Sequence, residues 1–289
     1  MTWVNAVVQG VLLGGLYALF ATGLSLGFGV MRLVNLAHGD LSILAAFAAF
    51  AITDAVGWNP LVCLIVILPG AFALGLILQR LMFDRVVGVD PAFAIVATFG
   101  LSVIIQNALY EKYTADPRSL QIGGLGTSSI TVTDELGIGW LPLITFLIGV
   151  FVLGGLALFL NRTMLGKAFR ATSDDPEVAK LMGIDNRRVY GVALGLAFAT
   201  VALAGVLLGA RTQFDPFVGP ARLIYAFEAV IIGGLGSLWG TLAGGIILGV
   251  SQALGRQISP GWGELAGHVV FLAVLVTRPT GMFGKVAAR

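Results

Sequence analysis

Long apolar runs separated by short polar segments dominate the chain. The runs fall near residues 4–31, 40–53, 60–79, 91–110, 141–160, 189–210, 223–236, 238–255 and 264–277. Several approach the length of about 20 apolar residues that a helix needs to cross a bilayer. They lack the strict alternation of an outer-membrane barrel strand. The pattern predicts an all-α polytopic membrane protein with eight or nine transmembrane segments, of which 40–53 and 223–236 are short or broken.

Composition narrows the class further. Of the 289 residues, 57% are hydrophobic and 11% are charged, whereas soluble domains carry about 25% charged residues. We therefore expect one transmembrane domain over residues 1–289, in contact with lipid. The net charge of +2 argues against a nucleic-acid partner, and Cys63, the single cysteine, excludes an internal disulfide. The start, MTWVN, lacks the basic region of a signal peptide, so we expect the first helix to remain in the mature protein.

The distribution of Lys and Arg predicts the orientation, because these residues collect in cytoplasmic loops. The loop 162–188 is the most basic segment and is assigned to the cytoplasm. The segment 54–60 has no basic residue, and in the segment 111–140 the acidic residues outnumber the basic ones. Both segments are assigned to the external side. The N-terminus is then external and the C-terminus cytoplasmic. The other basic residues that support the cytoplasmic side are Arg80, Arg85, Arg278, Lys285 and Arg289.

Glycine is abundant, at 40 residues, and often recurs at a spacing of four. Such pairs allow two helix backbones to approach closely. The sequence alone leaves open whether these faces form a static bundle, move against one another or meet a partner subunit. The candidate helix-packing positions in the glycine-rich region are Gly233, Gly234, Gly236, Gly240 and Gly244.

Motifs for catalysis are missing from the sequence. It has no phosphate-binding loop of the G-x-x-x-x-G-K-[ST] type and no G-x-S-x-G nucleophile elbow. Two histidines, His38 and His268, and one cysteine give no recognisable metal-ligand pattern. We therefore predict a chain with no catalytic residue, no metal site and no bound cofactor. Uphill transport would need an ion gradient or energy from another chain.

The segment 170–185 differs from the rest because it resembles part of a small soluble protein. Its signals predict a short capped helix in the cytoplasmic loop. These signals are Asp174 or Asp175 as N-cap, Pro176 in the first turn, Glu177 in a box with Asp174, and Gly183 as the stop. An apolar face is formed by Val178, Leu181 and Met182. Two interpretations stay open on these residues, an ordinary connector or a helix that docks into a cytoplasmic protein.

Four segments together resemble LivH-type permeases of bacterial ABC importers of branched-chain amino acids. The first is GKAFRATSDDPEVAKLMGID, which is similar to the cytoplasmic coupling loop of that family. The others are VMRLVNLAHGDL at 30–41, ATFGLSVIIQN at 97–107 and VIIGGLGSLWGTLAGG at 230–245. The resemblance covers essentially the whole chain.

The resemblance implies a multi-subunit importer in the bacterial inner membrane. Its expected partners are a LivM-type second permease, two cytoplasmic ATPases of the LivG/LivF type, which use ATP and Mg²⁺, and an external substrate-binding protein. The substrate would be a branched-chain amino acid, with urea, short amides or aromatic acids as alternatives. An ion-driven secondary transporter, a membrane-embedded enzyme and a membrane scaffold are the rival classes. The implied ATPase contacts are Arg170, Asp174, Asp175, Pro176, Glu177, Ala179, Lys180 and Gly183.

Polar residues within the apolar runs are candidates for the substrate path or gate, because such residues are costly in a membrane. They are Asn35, His38, Asp40, Gln106, Asn107 and Glu228. Asp40 could instead accept a bond from His38 or cap the following helix, and Gln106 and Asn107 could cap their helix near the external side. Glu228 could pair with Arg222 or Arg256. The external segment 111–140 is either a landing surface for the binding protein or a plain loop.

Overall fold

The computed structural model describes residues 3–86, 91–133 and 136–283. These residues form a helical bundle with one small β-hairpin, so the predicted all-α polytopic class is confirmed. Part of the basic 80–90 turn, and Lys285 and Arg289 at the C-terminus, lie outside the described residues.

The long helices follow the apolar runs, and shorter helices lie in the polar segments between them. They are α1 (Trp3–Met31), α2 (His38–Val56), α3 (Pro60–Leu78), α4 (Asp84–Val86), α5 (Pro91–Tyr113), α6 (Trp140–Arg162), α7 (Met164–Asp174), α8 (Pro176–Leu181), α9 (Asn186–Arg211), α10 (Gly219–Gly233), α11 (Leu238–Ile258) and α12 (Trp262–Thr277). A π-helical turn, Gln79–Phe83, joins α3 to α4. The strands β1 (Ser129–Thr133) and β2 (Leu136–Gly139) pair antiparallel, with Ile130 opposite Ile138.

Seven helices in the described part of the chain are long and apolar enough to cross a membrane. One of them is α2, so the prediction that the run 40–53 is too short for a span was wrong. The helix is longer than the run because it includes His38 at its start and continues to Val56. The run 223–236 lies in α10, which has 15 residues, and α12 has 16. The count of eight or nine crossings depends on these two helices and stays a prediction.

Two helices, α1 and α9, form the centre of the bundle, where most of their residues are buried. Antiparallel α11 packs along α1, and antiparallel α3 packs along α9. Glycines allow this approach, because a Cβ on Gly10 would lie 2.6 Å from Val250 Cα and one on Gly75 would lie 2.7 Å from Gly195 Cα. The glycine spacing of the sequence thus brings backbones together where a side chain would not fit.

The two central helices are continued in the same way. Each is followed by a non-helical segment, 32–37 after α1 and 212–218 after α9, and then by a shorter helix. The shorter helices, α2 and α10, begin beside each other, since a Cβ on Gly39 would collide with the Gly219 carbonyl oxygen. Interrupted helices that meet inside an apolar bundle are typical of transport proteins, because protein groups there replace water as partners of the free backbone.

Candidate functional site

The predicted cytoplasmic helix is α8, and its start is set by Asp175. The Asp175 carboxylate accepts bonds from the backbone N–H groups of Glu177, at 2.9 Å, and Val178, at 3.0 Å. Asp174 belongs to the last turn of α7, so the predicted box between Asp174 and Glu177 was wrong. Asp175 is the N-cap because Pro176 directly follows it and fixes the first helical position.

The end of α8 is equally well defined. Gly183 has a φ of 83°, a conformation that favours glycine. Its N–H donates to the Lys180 carbonyl and the Ile184 N–H donates to the Ala179 carbonyl, both at 3.0 Å. These are the two bonds of a Schellman motif. The Asn186 amide then donates to the Pro176 carbonyl at 2.7 Å, which ties α8 to the start of α9.

The outer surface of α8 is apolar. Leu181 and Met182 are 86% and 78% exposed, and Val178 is also exposed, whereas Ala179 is buried against the bundle. The charged neighbours Asp174, Asp175, Glu177 and Lys180 are exposed around them. We call Val178, Leu181 and Met182 the α8 apolar patch. A short, rigid helix that holds such side chains away from its own protein is suited to docking.

The segment before α8 is bound to the end of α1. The Ser173 hydroxyl donates to the Gly29 carbonyl, and the Arg32 guanidinium donates to the Ser173 carbonyl at 3.2 Å. Arg170 donates to Asn161 at 2.9 Å, which joins α7 to α6. A cavity of 780 Å³ beside Arg170 and Ser173 separates α7 from the connection between α10 and α11. The α7–α8 segment therefore contacts both central helices.

The residues Asn35 and His38 stabilise the non-helical segment after α1. The Asn35 side chain accepts a bond from the Ala37 N–H at 3.0 Å. The His38 ring pairs with the Phe20 carbonyl at 2.9 Å, about three turns before α1 ends. The chain therefore folds back along α1 before α2 begins. The predicted bond from His38 to Asp40 was wrong, because the His38 ring faces α1.

The side chain of Asp40 faces α5 instead and is 0% exposed. It accepts bonds from the Ser102 hydroxyl at 2.6 Å and from the Gln106 amide at 2.9 Å. Gln106 thus binds a carboxylate inside the bundle and does not cap its helix. Ser102 was missed by the sequence reasoning, although its spacing of four from Gln106 places both on one face of α5. Asn107 is exposed and donates to the Val103 carbonyl of its own helix at 2.8 Å, away from this group.

Glu228 is buried on α10 and pairs with His268 of α12. The predicted partner, Arg222 or Arg256, was therefore wrong. Nearby, the Tyr225 hydroxyl donates to Glu264 at 2.8 Å, and the Tyr17 hydroxyl donates to Gln252 at 2.6 Å. Two of these pairs join α10 to α12, and the third joins α1 to α11. None of the three bonds joins residues that are close in sequence, so no local motif indicated them.

The candidate packing glycines lie in the hairpin between α10 and α11. A Cβ on Gly233 would collide with the Gly240 carbonyl oxygen, and one on Gly244 would collide with the Ala229 carbonyl oxygen. Gly234 and Gly236 have positive φ angles, of 100° and 79°, in the turn. In the ranges that the structure describes, no group of three His, Cys, Asp or Glu side chains could hold a metal ion.

Comparisons with known proteins agree with the sequence resemblance. Residues 6–277 match the family described as branched-chain amino acid transport system, permease component. The high-affinity branched-chain amino acid transport system permease protein BraD of Pseudomonas aeruginosa is 26% identical, over 98% of this chain and 96% of its own length. The corresponding LivH of Escherichia coli is 30% identical over the same shares, and LivM of that organism is 24% identical over 92% of this chain and 67% of its own. The protein therefore belongs to the family of permease subunits of branched-chain amino acid transport systems.

Proposed function

We propose that this chain and a LivM-type second permease together form the membrane path of an ATP-driven importer for branched-chain amino acids. Two cytoplasmic ATPases of the LivG/LivF type would hydrolyse ATP with Mg²⁺, and an external binding protein would deliver the substrate. Family membership supports the permease role. The names of BraD, LivH and LivM support the substrate class, because all three describe branched-chain amino acid transport.

The α8 apolar patch is the observation that carries the coupling role. Leu181 is the most exposed of its three side chains, yet hydrogen bonds at both ends fix the helix that bears it. Charged residues surround the patch, which gives a docking surface an apolar centre and a polar rim. In this proposal the ATPase covers the patch, and Arg170, Asp174, Asp175, Pro176, Glu177 and Lys180 lie at the rim, while Ala179 and Gly183 shape the helix.

The contacts of α7 and α8 supply a route from that surface into the bundle. Asn186 links α8 to the start of α9, and Ser173 links α7 to the end of α1. A displacement of the docked segment would therefore act on both central helices. We assign Asn35, His38, Asp40 and Gln106 to a gate, because they hold the start of α2 against α1 and α5.

The opposite end of the bundle suits the external binding protein in this proposal. The hairpin β1–β2 lies there, close to the start of α1, because the Gln9 amide donates to the Gly137 carbonyl at 2.8 Å. The segment 111–140 is also joined to the non-helical segment after α9 through the Arg118 N–H and the Phe214 carbonyl at 2.8 Å. These contacts hold the described parts of the segment against the bundle, where a partner could bind.

Co-purification with the ATPases tests the proposal. The chain would be expressed with its second permease and ATPases and purified through a tag on this chain. Leu181→Glu should reduce the recovered ATPase about tenfold or more, since it places a charge at the centre of an apolar contact. Recovery of the second permease should not change. Met164→Glu is the matched control, because Met164 is exposed to a similar degree, at 79%, on α7.

Two outcomes would contradict the proposal. One is full recovery of the ATPases with Leu181→Glu, which would show that the α8 apolar patch is not their binding site. The other is ATP-independent uptake of leucine by proteoliposomes that contain this chain alone, which would favour an ion-driven transporter or a channel.

A further inference from the structure

Two arginines lie at the end of the bundle opposite α8, and a third lies at the start of α10, which begins inside the bundle beside α2. Arg211 ends α9, Arg256 is in the last turn of α11, and Arg222 is in the first turn of α10. The first two lie far from α8 because α9 begins beside α8, and α11 runs antiparallel to α1, whose end contacts α7. Arg256 and the Tyr17 hydroxyl both donate to the Gln252 side-chain oxygen, and Tyr225, one turn after Arg222 on α10, packs against the Tyr17 ring. The electrostatic influence of all three arginines also reaches the Tyr17 hydroxyl. We call them the arginine triad.

The triad has no acidic partner in the described ranges. None of the ion pairs there involves Arg211, Arg222 or Arg256. The Nη1 atom of Arg211 and the Nε atom of Arg222 are buried without a hydrogen-bond acceptor. Arg256 donates only a side-chain bond of 3.2 Å to the neutral Gln252. A buried donor without an acceptor is costly, so the Arg211 and Arg222 donors indicate a hydrogen-bond acceptor that is not part of this chain.

Groups of a second kind lie beside the triad. The Tyr17 and Tyr225 rings pack with their centroids 5.3 Å apart, which provides apolar surface. Tyr225 in turn binds one oxygen of Glu264, whose side chain is exposed and carries a negative charge. Guanidinium groups bind carboxylates through paired N–H donors, and a carboxylate binds an ammonium group. The combination of cations, aromatic rings and one acid fits a small zwitterion.

We propose that the arginine triad binds the carboxylate group of the transported substrate, with Glu264 beside its ammonium group. The inference rests on the proposed transport function and sharpens it, because it selects substrates with a carboxylate over urea and short amides. A small molecule fits better than an acidic side chain of the binding protein, since the free donors of Arg211 and Arg222 are buried. Arg256 is exposed and marks the side from which the substrate enters.

Ligand stabilisation tests the site without ATP. The full-length chain, with any subunit that co-purifies, would be placed in lipid nanodiscs and its unfolding temperature followed while L-leucine, leucinamide or urea is added. A ligand that binds the folded state raises this temperature in proportion to its occupancy. We expect stabilisation by L-leucine and none by leucinamide or urea. Equal stabilisation by leucine and leucinamide, or none by any of the three, would overturn the proposal.

Substitutions of the arginines then test whether leucine binds at the triad. Arg222→Gln should raise the half-saturating leucine concentration about tenfold or more, the usual consequence of losing a charge-assisted bond. Arg222→Lys should retain more of the affinity, and Arg85→Gln, an exposed arginine on α4, should retain all of it. Arg211→Gln provides a second test if Arg222→Gln does not fold. Unchanged leucine stabilisation in both glutamine variants would overturn the site.

Two further results distinguish a substrate site from other roles of the arginine triad. Should Arg222→Gln weaken only the binding of the external protein to the complex and leave leucine stabilisation unchanged, the triad is a docking site and the proposal fails. Leucine stabilisation is measured without ATP or the ATPases. If the wild-type chain did not co-purify with ATPases, the proposed function would be contradicted, but leucine stabilisation would still decide whether the arginine triad binds substrate.

Discussion

Asp40 shows how a carboxylate is accommodated within an apolar bundle. It is fully buried, and its two oxygens accept from Ser102 and Gln106 of a different helix. Gln106 also donates to Ser102 at 3.0 Å, so the three side chains form one connected group. Each member would leave a buried polar atom without a partner if it were removed alone. The group therefore links α2 to α5 inside the bundle.

We predict that Asp40→Ala lowers the free energy of unfolding by about 2–4 kcal/mol, because it leaves the buried Ser102 hydroxyl without an acceptor and the Gln106 amide with one acceptor fewer. Ser102→Ala should cost less, since Gln106 still reaches Asp40. The double variant should cost less than the sum of the two by about 1 kcal/mol, the mark of a shared interaction. Chemical denaturation in mixed micelles measures all three. Strict additivity would show that the two residues act independently.

The partners of buried polar residues could not be predicted from the sequence, and the reason is their separation. Asp40 and Ser102 are 62 positions apart, and Glu228 and His268 are 40 apart. Local pattern identifies such residues as costly in an apolar run but does not show which helices will meet. The nearest charged groups in sequence, such as Arg222 for Glu228, were therefore the wrong partners.

Helices were predictable as elements because apolar runs and start signals act locally. The N-cap and stop of α8 follow from Asp175, Pro176 and Gly183, which all lie within eight positions of one another. The predicted run 40–53 began two residues after the start of α2, because His38 is polar and Asp40 stands at the edge of the apolar run. Only contacts with Phe20 and α5 make these residues helical and buried. Tertiary partners thus lengthened an element that local pattern truncated.

The close packing of α3 against α9 leads to a prediction about stability. Gly75→Ala should lower the free energy of unfolding by about 1–3 kcal/mol, because its Cβ would lie 2.7 Å from the Gly195 backbone and the helices must separate. Gly70→Ala on the same helix is the matched control, since nothing lies within 4 Å of its Cβ. It should be neutral or stabilising by up to about 1 kcal/mol.

Thermal unfolding of both variants in the same detergent checks this prediction. The difference between them separates close packing from helix propensity, which the two substitutions change alike. A destabilisation of equal size at Gly70 and Gly75 would mean that the loss of glycine flexibility, rather than the contact with α9, causes the effect.

The two central helices join the ends of the whole molecule. Arg211 of the arginine triad ends α9, and Asn186 at the other end of α9 binds the α8 segment. Tyr17 of α1 lies near the triad, and Gly29 of the same helix binds Ser173 beside α8. A rigid helix transmits displacement along its length, so this arrangement provides two parallel connections between the proposed substrate site and the proposed ATPase seat. Coupling would then require no long flexible segment.

The orientation of the molecule in the membrane is the prediction on which this arrangement depends. The basic loop 162–188 predicts that α8 is cytoplasmic and that the segment 111–140 is external. Cys63, the one native cysteine, is buried, so single cysteines can be introduced at exposed positions with little background. Leu125→Cys lies in the external segment, and Arg85→Cys lies at the α8 end, because its neighbour Asp84 is 3.9 Å from Arg187. A membrane-impermeant maleimide should label Leu125→Cys in intact spheroplasts and Arg85→Cys only after lysis, whereas the reverse pattern would place the α8 apolar patch outside the cell, where no ATPase could reach it.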